Sequence, residues 1–301
     1  MKFCIELTNH CNFRCVSCPH SLYGCQETPS GNVFDRPKGF MAPTLFRKTV
    51  AEARTWASDY AIGFFGEQLL HPQFNELVRE IPARAQRSFH LTLNSNWSLV
   101  TEQHLEALDR FDCIRISLDS PTKEGWETLC PGGVVLDKHG GAGPDRYETL
   151  VEKIEWYLAV PNRPRVHLIC VLQEANKHDA KALVAKWLPK LQRWDKIVTK
   201  SILSFGGIMR DGYMRDNPCR VAREKRFVVA WDGRCSPCSL DVNLAMAAGD
   251  LRSQSVQEIV EGRRWRRALG NITQRRGICS NCFDAQNHGA RSYRGKHGIS
   301  N

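Results

Sequence analysis

The chain has 301 residues, 42% of them apolar, and its 42 Lys and Arg against 32 Asp and Glu give a formal net charge of +10. This length and composition can bury a sizeable core and leave room for a second, smaller unit. Because there is no run of about 18 apolar residues and no hydrophobic segment near Met1, we expect a cytoplasmic protein that neither spans a membrane nor is secreted.

The first predicted strand, residues 3–8, leads directly into three closely spaced cysteines. Cys11, Cys15 and Cys18 form a Cys-x3-Cys-x2-Cys run. Structural zinc and iron–sulfur sites normally take four protein ligands, and no further Cys or His of fitting spacing lies near the run. The pattern therefore predicts a metal centre with one open corner, where chemistry can occur. Buried thiols or half of a zinc site are the alternatives.

Beyond this run, the chain alternates strand-like and helix-like segments. Further strands are predicted at residues 60–66, 90–96, 113–119, 166–173 and 196–203. Helices are predicted at residues 44–58, 73–87, 101–110, 146–160 and 177–191. This alternation is typical of parallel strand–helix units in an α/β fold. Two Gly- and Pro-rich segments, 24–43 and 128–144, interrupt it, and we interpret them as lids over a substrate site.

Functional side chains of such folds concentrate at the carboxyl ends of the strands. The second strand ends in Gly66 and Glu67, where a glycine allows a ligand close to the backbone and a carboxylate faces the mouth of the fold. The third strand ends in Asn94, and the fourth in Ser117 and Asp119. These short polar side chains are candidate ligand contacts, although turns and helix caps use the same residue types.

The cysteine run resembles the cluster loop of the radical S-adenosylmethionine (radical SAM) superfamily, with Ser17 where that family usually has an aromatic residue. Phe65-Gly66-Glu67 resembles its Gly-Gly-Glu motif, with Phe65 replacing the first glycine. The resemblance implies a partial (β/α)6 barrel and a [4Fe–4S] cluster on the three cysteines. S-adenosylmethionine would chelate the open iron and yield a 5′-deoxyadenosyl radical. In that family the motif meets the methionyl ammonium, and residues placed like Asn94, Ser117 and Asp119 hold the ribose and carboxylate.

A second cysteine set follows a break at residues 206–218. Residues 227–238 are predicted to form a β-hairpin turning at Asp232-Gly233, and a helix over residues 254–269 returns the chain to a Cys-x2-Cys pair. This order resembles the "twitch" domain, the shortened form of the SPASM domain. By that resemblance, one auxiliary [4Fe–4S] cluster is held by Cys219, Cys238, Cys279 and Cys282. A zinc ribbon that uses Cys235 with Cys238 is the alternative.

The predicted organisation is a radical SAM barrel (residues 1–205), a linker (206–218), a twitch domain (219–285) and a basic tail (286–301). Charge is unevenly distributed, since residues 1–150 have a net charge of −3 and residues 151–301 one of +13. The basic half is interpreted as a solvated face or as a surface for an anionic redox partner. The resemblance implies an electron-donating protein such as flavodoxin or ferredoxin, and no motif for nucleic acid is present.

The resemblance also implies hydrogen abstraction from a C–H bond of a small polar natural product of the sugar, aminoglycoside or aminocyclitol type. Epimerisation is the preferred outcome, and two-electron dehydrogenation or modification of a peptide are the alternatives. Epimerisation needs a thiol that returns hydrogen to the opposite face of the substrate. Cys235 is the first candidate for this donor, followed by Cys25 and Cys130. A cysteine-rich metal-binding module without catalytic activity is the non-enzymatic alternative.

Overall fold

The computed structural model describes residues 1–24, 34–209, 219, 224, 226–282 and 291–295. Its ten strands are β1 (Lys2–Ile5), β2 (Asp59–Ile62), β3 (His90–Ser95), β4 (Cys113–Ser117), β5 (Arg165–Leu172), β6 (Lys196–Ser201), β7 (Arg226–Val229), β8 (Arg234–Ser236), β9 (Gly249–Asp250) and β10 (Arg291–Arg294). They form one sheet in the order β10-β6-β5-β4-β3-β2-β1-β7-β8-β9. Strands β1 to β6 are parallel to one another, which confirms the predicted α/β class.

Two later segments extend this sheet at places that the sequence did not indicate. Strand β7 pairs in parallel with β1, and β8 and β9 continue from it antiparallel. Strand β10 pairs antiparallel with β6. The hairpin with the second cysteine set is therefore continuous with the sheet of the first unit.

The helices are α1 (Pro43–Trp56), α2 (Phe74–Arg79), α3 (Leu105–Leu108), α4 (Lys123–Leu129), α5 (Arg146–Leu158), α6 (Ala180–Trp187), α7 (Val256–Glu261) and α8 (Arg263–Thr273). The predicted helix over residues 73–87 ends at Arg79, because Pro82 lacks an N–H and disfavours helical backbone before it. The helix predicted over residues 254–269 is split by Gly262, whose backbone is extended. Helix α4 was not predicted; the Thr122 side chain caps it by accepting a bond from the Gly125 N–H.

Alternate residues of each strand point to opposite faces of the sheet. One set, including Phe3, Ile5 and Leu93, packs with the helices in the main hydrophobic core; we call this side the outer face. The other set, including Asn94 and Arg115, lies on what we call the inner face. In the described parts of the chain, no helix combines the length and apolar character needed to cross a membrane.

The outer-face core includes both the barrel strands and the helices after the hairpin. Phe227 of β7 stacks on Phe3 of β1 with ring centroids 4.8 Å apart, and its other neighbour is Trp265 of α8 at 5.0 Å. The predicted domain boundaries remain predictions, since most of the linker and of the basic tail lies outside the described residues.

Candidate functional site

The three cysteines of the first run lie on one loop immediately after β1. Charges on Cys15 act on both Cys11 and Cys18, which places the three thiols within electrostatic reach of one another. Burial raises the pKa of Cys11 to about 12 and that of Cys18 well above its ordinary value. Thiolates are therefore unfavourable in the metal-free loop, and a bound cationic centre would supply the compensating charge.

The end of β2 supports this loop from one side. The Glu67 N–H donates to the His10 carbonyl at 2.8 Å. Gly66 has a φ of +81°, and a Cβ there would lie 2.5 Å from the same carbonyl oxygen. Only glycine fits this contact, so Gly66 serves the approach of the cysteine loop to the sheet.

A second support comes from residues 129–133, which we call the clasp. The Arg14 and Val16 N–H groups donate to the Pro131 and Leu129 carbonyls, each at 3.0 Å. Gly133 has a φ of +70°, and a Cβ at this position would lie 2.3 Å from the Phe13 ring. The clasp belongs to the segment 128–144 that was interpreted as a lid, and here it holds the cysteine loop in place.

A third support is a polar network at the end of β3. The Asn96 side-chain amide donates to the Asn12 Oδ1 at 2.9 Å, and the Asn12 amide donates to the Ser98 hydroxyl at 2.9 Å. The cysteine loop is therefore fixed by contacts from the ends of β2 and β3 and from the clasp that follows α4. A preorganised ligand loop loses little conformational entropy when a metal centre binds.

Glu67 is buried beside the cysteine loop rather than exposed at the mouth. Its carboxylate accepts hydrogen bonds from the Asn96 N–H at 2.6 Å, the Ser95 hydroxyl at 3.0 Å and the Leu69 N–H at 3.3 Å. Burial nevertheless raises its pKa to about 7. A cationic ligand beside this carboxylate would favour the ionised form.

The other predicted strand-end residues lie on the inner face. The Asn94 amide donates to the Gly63 carbonyl at 3.1 Å, and Ser117 is exposed. Asp119 is buried, and its carboxylate accepts a bond from the Val171 N–H at 2.8 Å. Burial raises the pKa of Asp119 to about 6. The fold thus brings Asn94, Ser117 and Asp119 to one side of the sheet.

Sequence reasoning missed a buried ion pair at the same end of the sheet. Both guanidinium NH2 groups of Arg36 donate to the Glu6 carboxylate, at 2.7 and 2.6 Å, and both side chains are almost fully buried. The pair connects the segment before α1 to the residue after β1. A charged residue inside an otherwise apolar strand was the one sequence signal for it.

The second cysteine set also converges. Charges on Cys279 and Cys282 act on Cys238, and that of Cys219 acts on Cys279. The Leu240 N–H donates to the Cys238 sulfur at 3.4 Å, and the Ser204 hydroxyl donates to the Cys282 sulfur at 3.7 Å. These are the four cysteines that the sequence resemblance named as auxiliary ligands.

The three candidate hydrogen donors fall in different places. Cys235 is paired with Val229, which is paired with Ile5 of the outer-face core, so its side chain points away from the inner face. It is fully buried, and its thiol donates to the Gly233 carbonyl at 3.3 Å. Cys130 follows α4, with its sulfur 3.9 Å from the Asp119 carboxylate and beside Cys15. Cys25 lies outside the described residues.

Both cysteine sets offer sulfur ligands alone, the donor set that iron–sulfur clusters use. Within the described ranges, no group of three or more His, Cys, Asp or Glu side chains is close enough to hold a single metal ion. A cluster several atoms across holds its ligands farther apart than one ion does. The two cysteine sets therefore fit clusters in their chemistry.

Comparison with known families gives two matches along the chain. The radical SAM superfamily matches residues 5–186, and an iron–sulfur cluster-binding domain of the SPASM type matches residues 219–283. A curated relative from Pyrococcus furiosus is 24% identical, with 78% of this chain and 69% of the relative covered. It is described as a tungsten-containing aldehyde ferredoxin oxidoreductase cofactor-modifying protein.

Solved structures with the same fold are more distant in sequence. BtrN in complex with AdoMet and 2-DOIA is 17% identical, with a TM-score of 0.56 over 93% of this chain and 92% of that one. The anSMEcpe enzyme with bound AdoMet is 16% identical, with a TM-score of 0.61 over 90% and 84%. SuiB of Streptococcus suis, bound to its precursor peptide SuiA, is 11% identical, with a TM-score of 0.64 over 95% and 70%.

Proposed function

The chain belongs to the radical SAM superfamily, and on this premise we propose that it abstracts a hydrogen atom from a C–H bond of a small polar molecule bound at the inner face of the sheet. Its cofactors are S-adenosylmethionine and iron–sulfur clusters. The observation that carries the proposal is the convergence of Cys11, Cys15 and Cys18 on a loop that the ends of β2 and β3 and the clasp hold in place. A metal-binding module without catalytic activity would not need a rigidly held cysteine loop next to a row of polar side chains at the strand ends.

The residues of the chain have separate roles in this proposal. Cys11, Cys15 and Cys18 would hold the first [4Fe–4S] cluster, which supplies the electron that cleaves S-adenosylmethionine to the 5′-deoxyadenosyl radical. Glu67 would pair with the methionyl ammonium, and Asn94, Ser117 and Asp119 would bind its polar groups from the inner face. Cys219, Cys238, Cys279 and Cys282 would hold the auxiliary [4Fe–4S] cluster. An electron-donating protein such as flavodoxin or ferredoxin would supply the electron.

The first test separates the two clusters. In the triple variant with Cys11, Cys15 and Cys18 changed to Ala, we expect no 5′-deoxyadenosine. After anaerobic reconstitution, iron should fall to about half of the wild-type value, and the spectroscopic signal of one cluster should remain. A triple variant that still forms 5′-deoxyadenosine would overturn the proposal. About one zinc per chain in place of iron would overturn the auxiliary cluster.

We propose epimerisation of a sugar or aminocyclitol carbon as the outcome. The thiol of Cys130 would donate a hydrogen atom to the substrate radical, and one electron from the redox protein with one solvent proton would restore the thiol. The outward-facing side chain of Cys235 argues against the residue first expected in that role, whereas Cys130 lies beside Asp119. Dehydrogenation is the second candidate, favoured by the four converging auxiliary cysteines, which would provide an electron acceptor. Peptide modification is a third, since SuiB is described in complex with a precursor peptide.

Turnover in deuterium oxide distinguishes these outcomes once a substrate is in hand. Thiol protons exchange with solvent, so epimerisation through Cys130 fixes one deuterium in the product, and the Cys130→Ala variant loses that label. Cys235→Ala is the matched control, and we expect it to retain labelling. A product two hydrogens lighter and without deuterium would establish dehydrogenation instead.

A further inference from the structure

The inner face of the sheet is open to solvent at its centre, and we call this open region the cavity. Strand β4 lies between β3 and β5, yet its residues Arg115 and Ser117 are exposed while the neighbouring Ile114 and Ile116 are buried. Side chains of a strand so far from the sheet edges reach solvent only where one face is left uncovered. The cavity therefore lies on the same face as Asn94 and Asp119.

Basic side chains line this cavity in register. Asn94 pairs with Arg115, Arg115 with His167, and His167 with Lys196, so these four residues form one row across the inner face. Paired residues of neighbouring strands share a face. Lys200 lies nearer the carboxyl ends of the strands, paired with Val171, whose N–H contacts the Asp119 carboxylate. Basic side chains therefore line the cavity from the row that contains Arg115 to the level of Asp119, nearer the carboxyl ends of the strands.

These basic groups oppose one another's protonation, and the carboxylate that acts on Lys200 is the buried Asp119. Burial is the largest cause that lowers the pKa of Lys200, and the charges of Arg115 and Arg226 lower it further. The charge of Asp119 raises it. His167 is held neutral, since burial, followed by Arg115 and Lys196, lowers its pKa to about 4, and its buried Nε2 has no hydrogen-bond partner.

The other acidic groups of this region are already engaged. Glu6 is paired with Arg36 at 2.6 Å, and Glu224 with Arg226 at 2.6 Å. Among the residues that the structure describes, no carboxylate lies within 4.0 Å of the basic groups of Arg115 or Lys200. Cations grouped with no carboxylate in ion-pair contact favour binding of an anion.

We propose that this cavity binds the substrate through an anionic group, a carboxylate or a phosphate, held by Arg115 and Lys200. The inference rests on the proposed function, since it assigns the substrate class of that same site. Within the proposed substrate class, the site favours an acidic or phosphorylated sugar over an aminocyclitol or a polycationic aminoglycoside, whose ammonium groups would meet Arg115 and Lys200.

Binding of charge-matched probes tests this directly. The full chain, reconstituted with iron and sulfide and saturated with S-adenosylmethionine, is titrated calorimetrically with glucose 6-phosphate, gluconate and glucosamine. We expect saturable binding of at least one anionic probe and none of glucosamine. Arg115→Gln and Lys200→Gln should each weaken this binding by at least about tenfold, whereas Lys181→Gln on the exposed surface of α6 should leave it unchanged.

Charge-conserving changes keep the test valid if a Gln variant folds poorly. Lys200→Arg and Arg115→Lys should retain binding, and raising potassium chloride from about 0.05 to about 0.5 M should weaken it in the wild type. Glucosamine binding equal to that of the anions, or anion binding unaffected by both Gln variants, would overturn the proposal.

Two further outcomes distinguish failure of the substrate assignment from failure of the proposed function. If the anions bind only without S-adenosylmethionine and are displaced by it, the cations serve the carboxylate of the cofactor and the substrate assignment is overturned. Formation of 5′-deoxyadenosine is measured in the same preparations. Its absence would count against the proposed function, whereas the calorimetric result would still decide the charge of the ligand.

Discussion

Glu67 and Asp119 are buried carboxyl groups whose hydrogen bonds only partly offset the cost of burial. Their pKa values are raised to about 7 and about 6, respectively, so at pH 7 without ligands Glu67 is roughly half protonated and Asp119 roughly one-tenth protonated. A buried carboxyl group without an ion-pair partner gains more electrostatic stabilisation from a bound cation than a carboxylate that is already paired. Under the proposed function, the ammonium and sulfonium groups of S-adenosylmethionine would supply such a cation.

The raised pKa of Glu67 predicts a pH dependence of stability. Between the unfolded value of about 4.5 and the folded value of about 7, the folded chain holds more protons, so its free energy of unfolding falls as the pH rises. Glu67→Gln cannot ionise, and this part of the slope should disappear, a difference of at most about 3 kcal/mol. Urea unfolding of the metal-free chain at pH 5 and 7.5 measures it. Parallel slopes for the two proteins would contradict the assignment.

Glu67→Ala should weaken S-adenosylmethionine binding by roughly tenfold to a hundredfold, because a charge-assisted hydrogen bond contributes on the order of 1.5–3 kcal/mol. Equilibrium dialysis of the reconstituted protein measures the dissociation constant. Glu148→Ala, on the exposed surface of α5, is the matched control. An unchanged dissociation constant in the Glu67 variant would remove this carboxylate from the cofactor site.

At the scale of elements, the sequence indicated the positions of the strands and of the cysteines. It did not indicate which segments contact the cysteine loop and hold it in place. The clasp contains Pro131, Gly132 and Gly133, a composition that predicts an irregular loop and by itself suggests mobility. The need for these glycines becomes visible only when Phe13 and the backbone of the cysteine loop are in place against them. Contacts between segments more than a hundred residues apart leave no local pattern in the sequence.

Gly133→Ala should loosen the clasp. The left-handed backbone at this position costs a side chain about 1–2 kcal/mol, and the added Cβ would also meet the Phe13 ring at 2.3 Å. We expect less iron retained by the reconstituted protein and a lower unfolding midpoint. Gly270→Ala in α8 is the control, since nothing lies within 4 Å of its added Cβ and alanine favours a helix by about 1 kcal/mol. Equal effects of the two changes would contradict the role of the clasp.

At the scale of the whole molecule, the two cysteine units share one sheet and one core. The sequence predicted a barrel followed by a separate small domain, because hairpin and helix signals are local. Pairing of β7 with β1 and of β10 with β6 could not be predicted, since any apolar strand can satisfy the backbone of an open edge. The stack of Phe3, Phe227 and Trp265 then makes the stability of one unit depend on the other.

Phe227→Ala should therefore destabilise the whole chain by about 3–5 kcal/mol, as expected for a buried phenylalanine. Unfolding followed by circular dichroism and by tryptophan fluorescence should remain one coincident transition at a lower denaturant concentration. Phe40→Ala is the matched control and should cost much less, because its ring is 43% exposed. Two separate transitions in the wild type, or a loss confined to residues after 219, would contradict this coupling.

The position of β1 has a consequence for biosynthesis. Its Lys2 pairs with Asp59 on one side and with Arg226 on the other. The ribosome therefore releases the first neighbouring strand early, and the second only more than two hundred residues after β1 itself. Until then, one edge of β1 is open to unwanted partners, and the strand that carries the cysteine loop is only half supported. We expect the nascent barrel to depend on chaperones during translation, and delivery of the first iron–sulfur cluster to be most efficient after β7 has been synthesised.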